Sequence, residues 1–229
     1  MKRLSLLILI FVLCSCQTLP LINSPVSPTG EKLLTCPSPF LKSKYRFIHT
    51  IETRMAGNTQ SAIIGVTLAD PSTRSISCAI MTAEGMVMFD AESGPGGLKI
   101  DRALPPFDSA GFAENMIEDI KLIFFSPVGK IQTSGYLPDG ATVCRYLEEN
   151  GDWIDVIANK SEGVQIKRYS SAGILKRQVK FKETAGNIYQ SIELQAYETF
   201  DYTLLMNLIE AQPVKGKLLR TKSSRNMQK

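Results

Sequence analysis

Apolar and polar residues alternate along most of the chain from residue 45 onward. In the run KYRFIHTIETR, Tyr45, Phe47 and His49 alternate with Arg46 and Thr50, a period of two that indicates a strand with one buried face. The runs QSAIIGVTLA, RSISCAIMT, MVMFDAE and LKIDRA follow, with short turns between them. Because short links favour antiparallel neighbours, this part of the chain predicts a meander of about five strands.

The pattern changes to helical spacing near residue 108. Apolar residues recur at intervals of three or four in DSAGFAENMIEDIKLIFF, at Phe112, Met116, Ile120 and Ile123 or Phe124. Asp108 or Ser109 is expected to cap the first turn with its side-chain oxygen, and Pro127 to stop the helix. This segment predicts one helix in the middle of the chain.

Strand patterns then resume in TVCRYLEEN, DWIDVIANK, GVQIKRYS, ILKRQVKFKE, IYQSIELQAY and YTLLMNLIEA. The total is about ten or eleven antiparallel strands around one helix, a mainly β (α+β) fold. A sheet of that size curls, and its concave face has to be covered. We therefore predict a curved, unclosed antiparallel β-barrel with the central helix packed against the concave face.

If the helix fills the concave face only in part, an apolar cavity remains that suits an acyl chain or a similar ligand. The alternative is that the same side chains form an ordinary core. The residues predicted to line the cavity share apolar character and positions on the predicted strands or helix. They are Phe47, Met86, Met88, Phe112, Met116, Ile120 and Trp153.

The first fifteen residues have the pattern of an export signal. Lys2 and Arg3 precede an apolar run over residues 4–13, which is about half the length needed to cross a bilayer as a helix. A positive start, a short apolar core and small residues after it favour cleavage and export. An uncleaved N-terminal anchor is the alternative.

The end of this signal, Leu13-Cys14-Ser15-Cys16, resembles a bacterial lipobox, in which an aliphatic residue and small residues precede an invariant cysteine. The resemblance implies that Cys16 is acylated and becomes the first residue of the mature protein. It also implies retention at the outer membrane of a Gram-negative cell, facing the periplasm, because Gln17 rather than Asp follows. Several acyl chains together anchor a protein essentially permanently.

These patterns divide the chain into four parts. Residues 1–15 form the signal peptide, and residues 16–35 form the lipidated cysteine and a flexible tether rich in proline and polar residues. Residues 36–213 form the half-barrel domain. Residues 214–229 form a basic tail that is predicted to be disordered.

Charge and cysteine content limit the functions and the disulfides that are possible. The chain has 26 basic and 22 acidic residues, and removal of Lys2 and Arg3 with the signal leaves 24 against 22, which gives no support for nucleic-acid binding. Cys36, Cys78 and Cys144 permit at most one disulfide in an oxidising periplasm. Pairing of Cys36 with one of the other two stays open, as does a core role for both.

The sequence contains no pattern that supports catalysis. His49 is the single histidine and lies in a strand pattern, which favours a structural role. Glu118 and Asp119 are adjacent, so on a helix they diverge by about a hundred degrees and do not face one substrate. One of them is a candidate to tie the helix to an Arg or Lys of a strand. We expect no enzyme activity, cofactor or metal.

The order of elements resembles the LolA/LolB superfamily of periplasmic carriers and outer-membrane receptors of lipoproteins. More narrowly, EGMVMFDAE, ALPPF and AENMIEDIKLIFFSP are similar to a family of uncharacterised LolB-like outer-membrane lipoproteins, with Asp119, Leu122, Phe125 and Pro127 near the positions of its helix motif. The resemblance covers about residues 40–205. No loop clearly matches the exposed apolar loop of LolB-type receptors, and the nearest segment is 94–107.

The resemblance implies a lipoprotein that binds or transfers a hydrophobic ligand, such as a lipid or the acyl chain of a lipoprotein. Its expected partners are the membrane through the N-terminal lipid, the hydrophobic ligand or lipoprotein cargo, and a periplasmic carrier protein. The alternative is a non-enzymatic assembly or scaffolding lipoprotein that acts through a protein partner.

Overall fold

A computed structural model describes residues 18–23, 35–55, 58–185, 188–198 and 201–214, and this part of the chain forms one antiparallel sheet and one helix. The strands are β1 (Tyr45–Met55), β2 (Asn58–Asp70), β3 (Ser75–Met81), β4 (Val87–Gly94), β5 (Gly97–Ala103), β6 (Lys130–Tyr136), β7 (Thr142–Leu147), β8 (Trp153–Asn159), β9 (Gly163–Tyr169), β10 (Leu175–Ala185), β11 (Ile188–Ala196) and β12 (Tyr202–Pro213). The helix, α1, is Phe112–Phe124.

The sheet order is β5-β4-β3-β2-β1-β12-β11-β10-β9-β8-β7-β6. The chain begins in the middle at β1 and moves outward to β5. The connection containing α1 then carries it to the opposite edge at β6, and it returns inward until β12 pairs with β1, with Tyr45 opposite Pro213. Since β5 and β6 do not pair, the curved sheet stays unclosed, and the predicted mainly β architecture is confirmed.

The core lies between α1 and the concave face of the sheet. The ring of Phe47 on β1 stacks on Phe124 of α1 with centroids 4.8 Å apart. Alternate positions of the strands supply the rest of the core, as the period of two requires. The buried core residues on both sides include Phe89, Ile117, Ile120, Ile123, Ile154, Val156, Ile166, Val179, Phe181 and Leu194.

The sheet formed by the described residues has twelve strands, and the one missing from the sequence prediction is β6. This edge strand, Lys130–Tyr136, is mostly exposed, and only Gly135 within it is buried. An edge strand with little buried surface carries no apolar alternation, so hydrophobic periodicity cannot reveal it.

The start of α1 differs from the prediction that Asp108 or Ser109 caps it. The N-cap residue is Gly111, with φ of 77° and no side-chain capping hydrogen bond. The backbone N–H of Phe112 donates to the carbonyl of Ser109, so a turn precedes the helix. The left-handed conformation is one that glycine adopts without steric cost, which explains why the helix begins after Gly111.

A disulfide settles the open question about the cysteines. Cys36 is bonded to Cys144 on β7, 108 residues along the chain, and Cys144 faces the same side of the sheet as the core residue Val156 opposite it. Cys78 is a buried free thiol whose pKa is raised to about 12 by burial and by the nearby charge of Asp90. Such a thiol is inert at neutral pH.

Residues 18–23, which we call the strap, lie against the convex face of the sheet. Thr18 forms a bridge with Ile174 in the β9–β10 turn, and Asn23 forms one with Tyr136 at the end of β6. Ile22 packs against a small cluster of buried side chains from the convex side of β7 and β8. Part of the predicted tether therefore contacts the domain, which the sequence did not indicate.

The convex face under the strap contains a buried ion pair. Arg145 donates two hydrogen bonds to Asp155, from Nε to Oδ1 and from Nη2 to Oδ2, both of 2.7 Å. Its Nη2 also donates to the carbonyl of Pro20 in the strap at 2.9 Å. The pair therefore fixes the path of the strap across the sheet. The predicted signal peptide, Cys16, residues 24–34 of the predicted tether and the predicted tail from residue 215 lie outside the described residues.

Candidate functional site

Several turns meet beside the last turn of α1. They are the β2–β3, β4–β5 and β7–β8 turns, with the β9–β10 turn next to β7–β8, and we call this side of the molecule the open end. The β3–β4 turn lies at the opposite end of β3 and β4 from the β2–β3 and β4–β5 turns, and we call it the far end. At the open end a Cβ on Gly151 would lie 3.5 Å from the Cβ of Ser171, which places the β7–β8 and β9–β10 turns side by side.

A cavity of about 530 Å³ opens at the open end, between α1 and the turns. This volume lies within the range of small-molecule sites, roughly 300 to 1,000 Å³. The apolar residues that line it are Phe40, Pro95, Leu122, Phe125, Pro127, Val128, Ile154 and Ile166. The charged residues that line it are Arg74, Glu118, Lys121, Glu148, Glu149 and Arg168.

Arg168 of β9 is the centre of the charged part of this cavity. Its Nη2 lies 3.2 Å from a carboxylate oxygen of Glu148 and 3.8 Å from one of Glu118 on α1. Its Nε is buried and has no hydrogen-bond partner among the described residues. Lys121 pairs with the other carboxylate oxygen of Glu118 at 2.8 Å. The cavity therefore combines an apolar wall with a donor that has unused hydrogen-bonding capacity.

On the other wall, Arg74 of the β2–β3 turn closes over the end of the helix. Its Nη1 donates to the carbonyl of Ser126 at 3.0 Å, and its guanidinium lies 5.3 Å from the centroid of the Phe125 ring. A guanidinium at this distance over an aromatic face is attracted by the ring quadrupole. These contacts hold the segment after α1 against the turn and define the cavity's outer edge.

A buried cluster of charged residues holds α1 against the sheet, next to this cavity. Arg177 of β10 donates from Nε to Asp119 at 2.9 Å, and the hydroxyl of Tyr202 on β12 donates to the second oxygen of Asp119 at 2.6 Å. Arg177 also donates to Glu198 at 2.7 Å. Burial raises the pKa of Asp119, and the charge of Arg177 opposes that shift. The expectation that an acidic residue ties the helix to a strand is confirmed.

Away from the open end, the concave face is nearly filled. A void of about 20 Å³, close to the size of one water, remains among Phe47, His49, Phe124 and residues of β10 and β11. His49 is 1% exposed, and its Nδ1 has no partner among the described residues. Burial lowers the pKa of His49 to about 4, so the imidazole is neutral in the folded protein at pH 7.

Two of the predicted ligand-binding residues, Phe47 and Ile120, are buried in the core between α1 and the sheet. Phe112 and Met116 of α1 are half-buried and pack on the same core. None of the four lines the 530 Å³ cavity, and Phe47 lines the small void. The structure thus brings these four together as helix packing, while their ligand-binding role stays a prediction.

The other three predicted residues lie apart from that group. Met86 is 53% exposed in the β3–β4 turn at the far end. Met88 lies at a bulge of β4, where Val87 and Phe89 have partners on β3 and Met88 has none. Trp153 precedes the core residue Ile154 in a regular strand and so faces the convex side. The seven residues do not surround one cavity.

The charged residues of the cavity and of the ionic cluster were not predicted as a site. They can be recognised in the sequence as charged residues at alternate strand positions that otherwise hold apolar residues. Arg168 follows Val164 and Ile166 at intervals of two, and Arg177 stands between Leu175 and Val179 in the same way. A charge at such a position needs a buried partner, and that requirement points to a polar site on the concave face.

Comparisons with known proteins add three distant structures. No protein-family model matches the sequence, and neither does any curated protein. A LolA superfamily protein from Nitrosomonas europaea is similar with 9% identity and a TM-score of 0.48, covering 77% of this chain and 88% of the other. A lipoprotein-sorting protein domain from Vibrio parahaemolyticus, described as a putative outer-membrane one, has 10% identity and a TM-score of 0.42, covering 76% and 86%.

The third structure, MucB in complex with the periplasmic part of MucA, has 8% identity and a TM-score of 0.21, covering 75% of this chain and 94% of the other. Similarity at these levels assigns the chain to no family.

Across the described ranges, no helix is both long and apolar enough to cross a membrane. Within the same ranges, no cluster of His, Cys, Asp and Glu is arranged to hold a metal ion.

Removing the charge of Asp119 is expected to destabilise the protein by about 3 kcal/mol, because Asp119→Asn leaves Arg177 buried without its main counter-charge. Urea unfolding at pH 7 measures the change. Tyr202→Phe removes one hydrogen bond to the same carboxylate and should cost about 1 kcal/mol. Glu118→Gln, which breaks a more exposed ion pair, is the matched control and should cost less than 1 kcal/mol. Equal losses for Asp119→Asn and Glu118→Gln would contradict this account.

Protonation of His49 is expected to destabilise the fold in acid. Between pH 6.5 and about 4 the unfolded chain binds a proton at this residue and the folded chain does not, so stability falls as the pH falls. From pH 7 to 4.5 this contribution is about 2 kcal/mol. The measurement is the difference in unfolding free energy between the two pH values for the wild type and for His49→Phe. The variant should lose about 2 kcal/mol less, and identical pH dependences would refute the assignment.

Proposed function

We propose that this chain is a lipid-anchored protein of the outer membrane, facing the periplasm, that binds or transfers a hydrophobic molecule in the cavity at the open end. The observation that carries the proposal is the pairing of an apolar wall with charged residues in one cavity of about 530 Å³. A lipid or a lipoprotein acyl chain has the matching division into apolar chain and polar head. The proposal includes no catalytic step.

The two walls of the cavity suggest how such a ligand would lie. Its chain would contact Leu122 and Phe125 of the helix segment and Ile154 and Ile166 of the sheet, where each square ångström of apolar surface removed from water contributes about 25 cal/mol. Its head would lie near Arg168, whose Nε has no partner among the described residues. Hydrogen bonds from a guanidinium to an oxyanion are among the stronger ones in proteins.

The membrane location is supported by the sequence of the signal. Leu13-Cys14-Ser15-Cys16 resembles a lipobox, and acylation of Cys16 would hold the domain at the membrane surface. The resemblance to LolB-like lipoproteins supports a role in lipid or lipoprotein handling. Insertion of cargo by an exposed loop is not part of the proposal. Segment 94–107 contains the β4–β5 turn and β5, and Phe107 at its end packs on Phe112 with centroids 5.3 Å apart.

A second candidate is an assembly or scaffolding lipoprotein that acts through a protein partner. It is favoured by the close packing of the concave face around Phe47 and Phe124, where the void between the helix and the sheet measures about 20 Å³. In that case the cavity at the open end would receive a side chain or a loop of the partner rather than a lipid.

Binding of a fluorescent fatty acid separates the two candidates. Val128→Trp narrows the cavity at an exposed position and should weaken binding at least about fivefold, or about 1 kcal/mol. Met86→Trp, at another exposed position, in the far end, is the matched control and should leave binding unchanged. Arg168→Met should weaken binding of the free acid about tenfold and of its methyl ester much less, because only the acid is an anion. Absence of binding to the wild type would favour the protein-partner candidate.

Lipid anchoring is tested by the distribution of the protein between membrane and soluble fractions. Cys16→Ala should move the protein out of the outer-membrane fraction, because the acyl chains have no attachment site. Cys14→Ala is the matched control and should keep it there, since alanine also suits the small position before the lipidated cysteine. Retention of the Cys16→Ala variant in the membrane would indicate the uncleaved anchor instead.

A further inference from the structure

The strap brings the proposed lipidation site to the open end of the sheet. Thr18 pairs with Ile174 in the β9–β10 turn, and the N–H of Leu19 donates to the carbonyl of Gly173 at 2.8 Å. One residue stands between Thr18 and Cys16, so their Cα atoms are separated by no more than about 7 Å. A lipid on Cys16 would therefore keep the β9–β10 turn close to the bilayer surface.

The other end of the described chain leaves the domain near the β2–β3 turn, which lines the cavity, because Pro213 pairs with Tyr45 and Tyr45 pairs with Ala69. The N–H of Val214, directly after β12, donates to the carbonyl of Lys44, directly before β1. Residues 215–229, which follow, contain six basic residues and no acidic one. A segment of this charge is attracted to anionic lipid headgroups. Two independent features, one at each chain end, thus point to a membrane at the open end.

Exposed apolar side chains lie in the cavity wall and beside the strap. Val128 in the cavity wall is 65% exposed, and Ile174 beside the strap is 61% exposed. Apolar side chains at the boundary between headgroups and acyl chains gain from leaving water. The β9–β10 turn, which holds the strap, lies beside the β7–β8 turn that lines the cavity, so the cavity and the attachment point of the strap are neighbours on the surface.

We propose that the open end is the membrane-docking surface, with Val128 and Ile174 at the lipid boundary and the cavity opening toward the headgroups. This orientation rests on the proposed lipid anchor. It deepens the proposed function because an acyl chain would pass between the bilayer and the cavity without crossing open water. The sheet's far end, with the β3–β4 turn, then points into the periplasm.

Fluorescent labelling of single introduced cysteines tests the orientation. Ile174→Cys and Val128→Cys place the label at the open end, and Met86→Cys is the matched control at the far end, where the native side chain is similarly exposed. The native cysteines do not react, because Cys36 and Cys144 form a disulfide and Cys78 is buried. The labelled, lipidated full chain is incorporated into vesicles of phosphatidylethanolamine and phosphatidylglycerol that contain brominated lipid.

Labels at 174 and 128 are expected to lose at least half of their fluorescence to the brominated lipid, and the label at 86 less than a tenth. Insertion of a twenty-residue Gly/Ser segment between Gln17 and Thr18 should keep the protein on the vesicles while reducing the quenching at 174. Quenching at 86 equal to that at 174, or none at 174 and 128, would overturn the orientation alone. A protein of unlipidated mass that does not float with the vesicles would overturn the anchoring proposal and this inference with it.

Discussion

The concave face of an unclosed twelve-strand sheet is apolar, and α1 covers it. A closed barrel would bury such a face against itself, but here β5 and β6 remain unpaired edges. The chain has to connect those two edges, and the connection is the segment that contains the helix. The segment that contains α1 therefore both connects the two edges and covers the apolar face. Phe124, the last residue of α1, stacks on Phe47 of β1 and covers the concave face there. The cavity begins where the helix ends.

The charged groups on the concave face give the helix a defined position. Apolar packing alone would let a helix of this kind slide or rotate at little cost, because hydrophobic contact is not directional. Asp119 instead has to meet both Arg177 and the hydroxyl of Tyr202, which come from two different strands. Desolvation makes such a cluster a poor source of net stability, while an unpaired member would be costly. The cluster thus restricts the arrangements in which the apolar core can form.

The N-terminal segment covers one of the two unpaired edges of the sheet, the strand β6. The strap pairs with β6 on the convex side through Asn23, and the disulfide of Cys36 holds the following segment against the concave side. Unpaired edges invite association with other strands. At the other edge, β5 carries charged residues such as Lys99 and Asp101, which pair with each other and oppose such association. The same strap then sets the direction in which a lipid on Cys16 would hold the domain.

The sequence by itself determined the strand and helix content, because burial of one face leaves a local record in the period of two or of about four residues. Tyr45, Phe47 and His49 show that record, and so do Phe112, Met116 and Ile120. It could not reveal β6, which buries little, nor decide between Cys78 and Cys144 as the partner of Cys36. The sequence also did not place Trp153 on the convex face or Met88 at a bulge. An alternating pattern tells which residues share a face of the sheet, but it does not tell which face is covered. Only the tertiary structure decided those points and the cavity, since its walls come from turns and strands far apart in the chain.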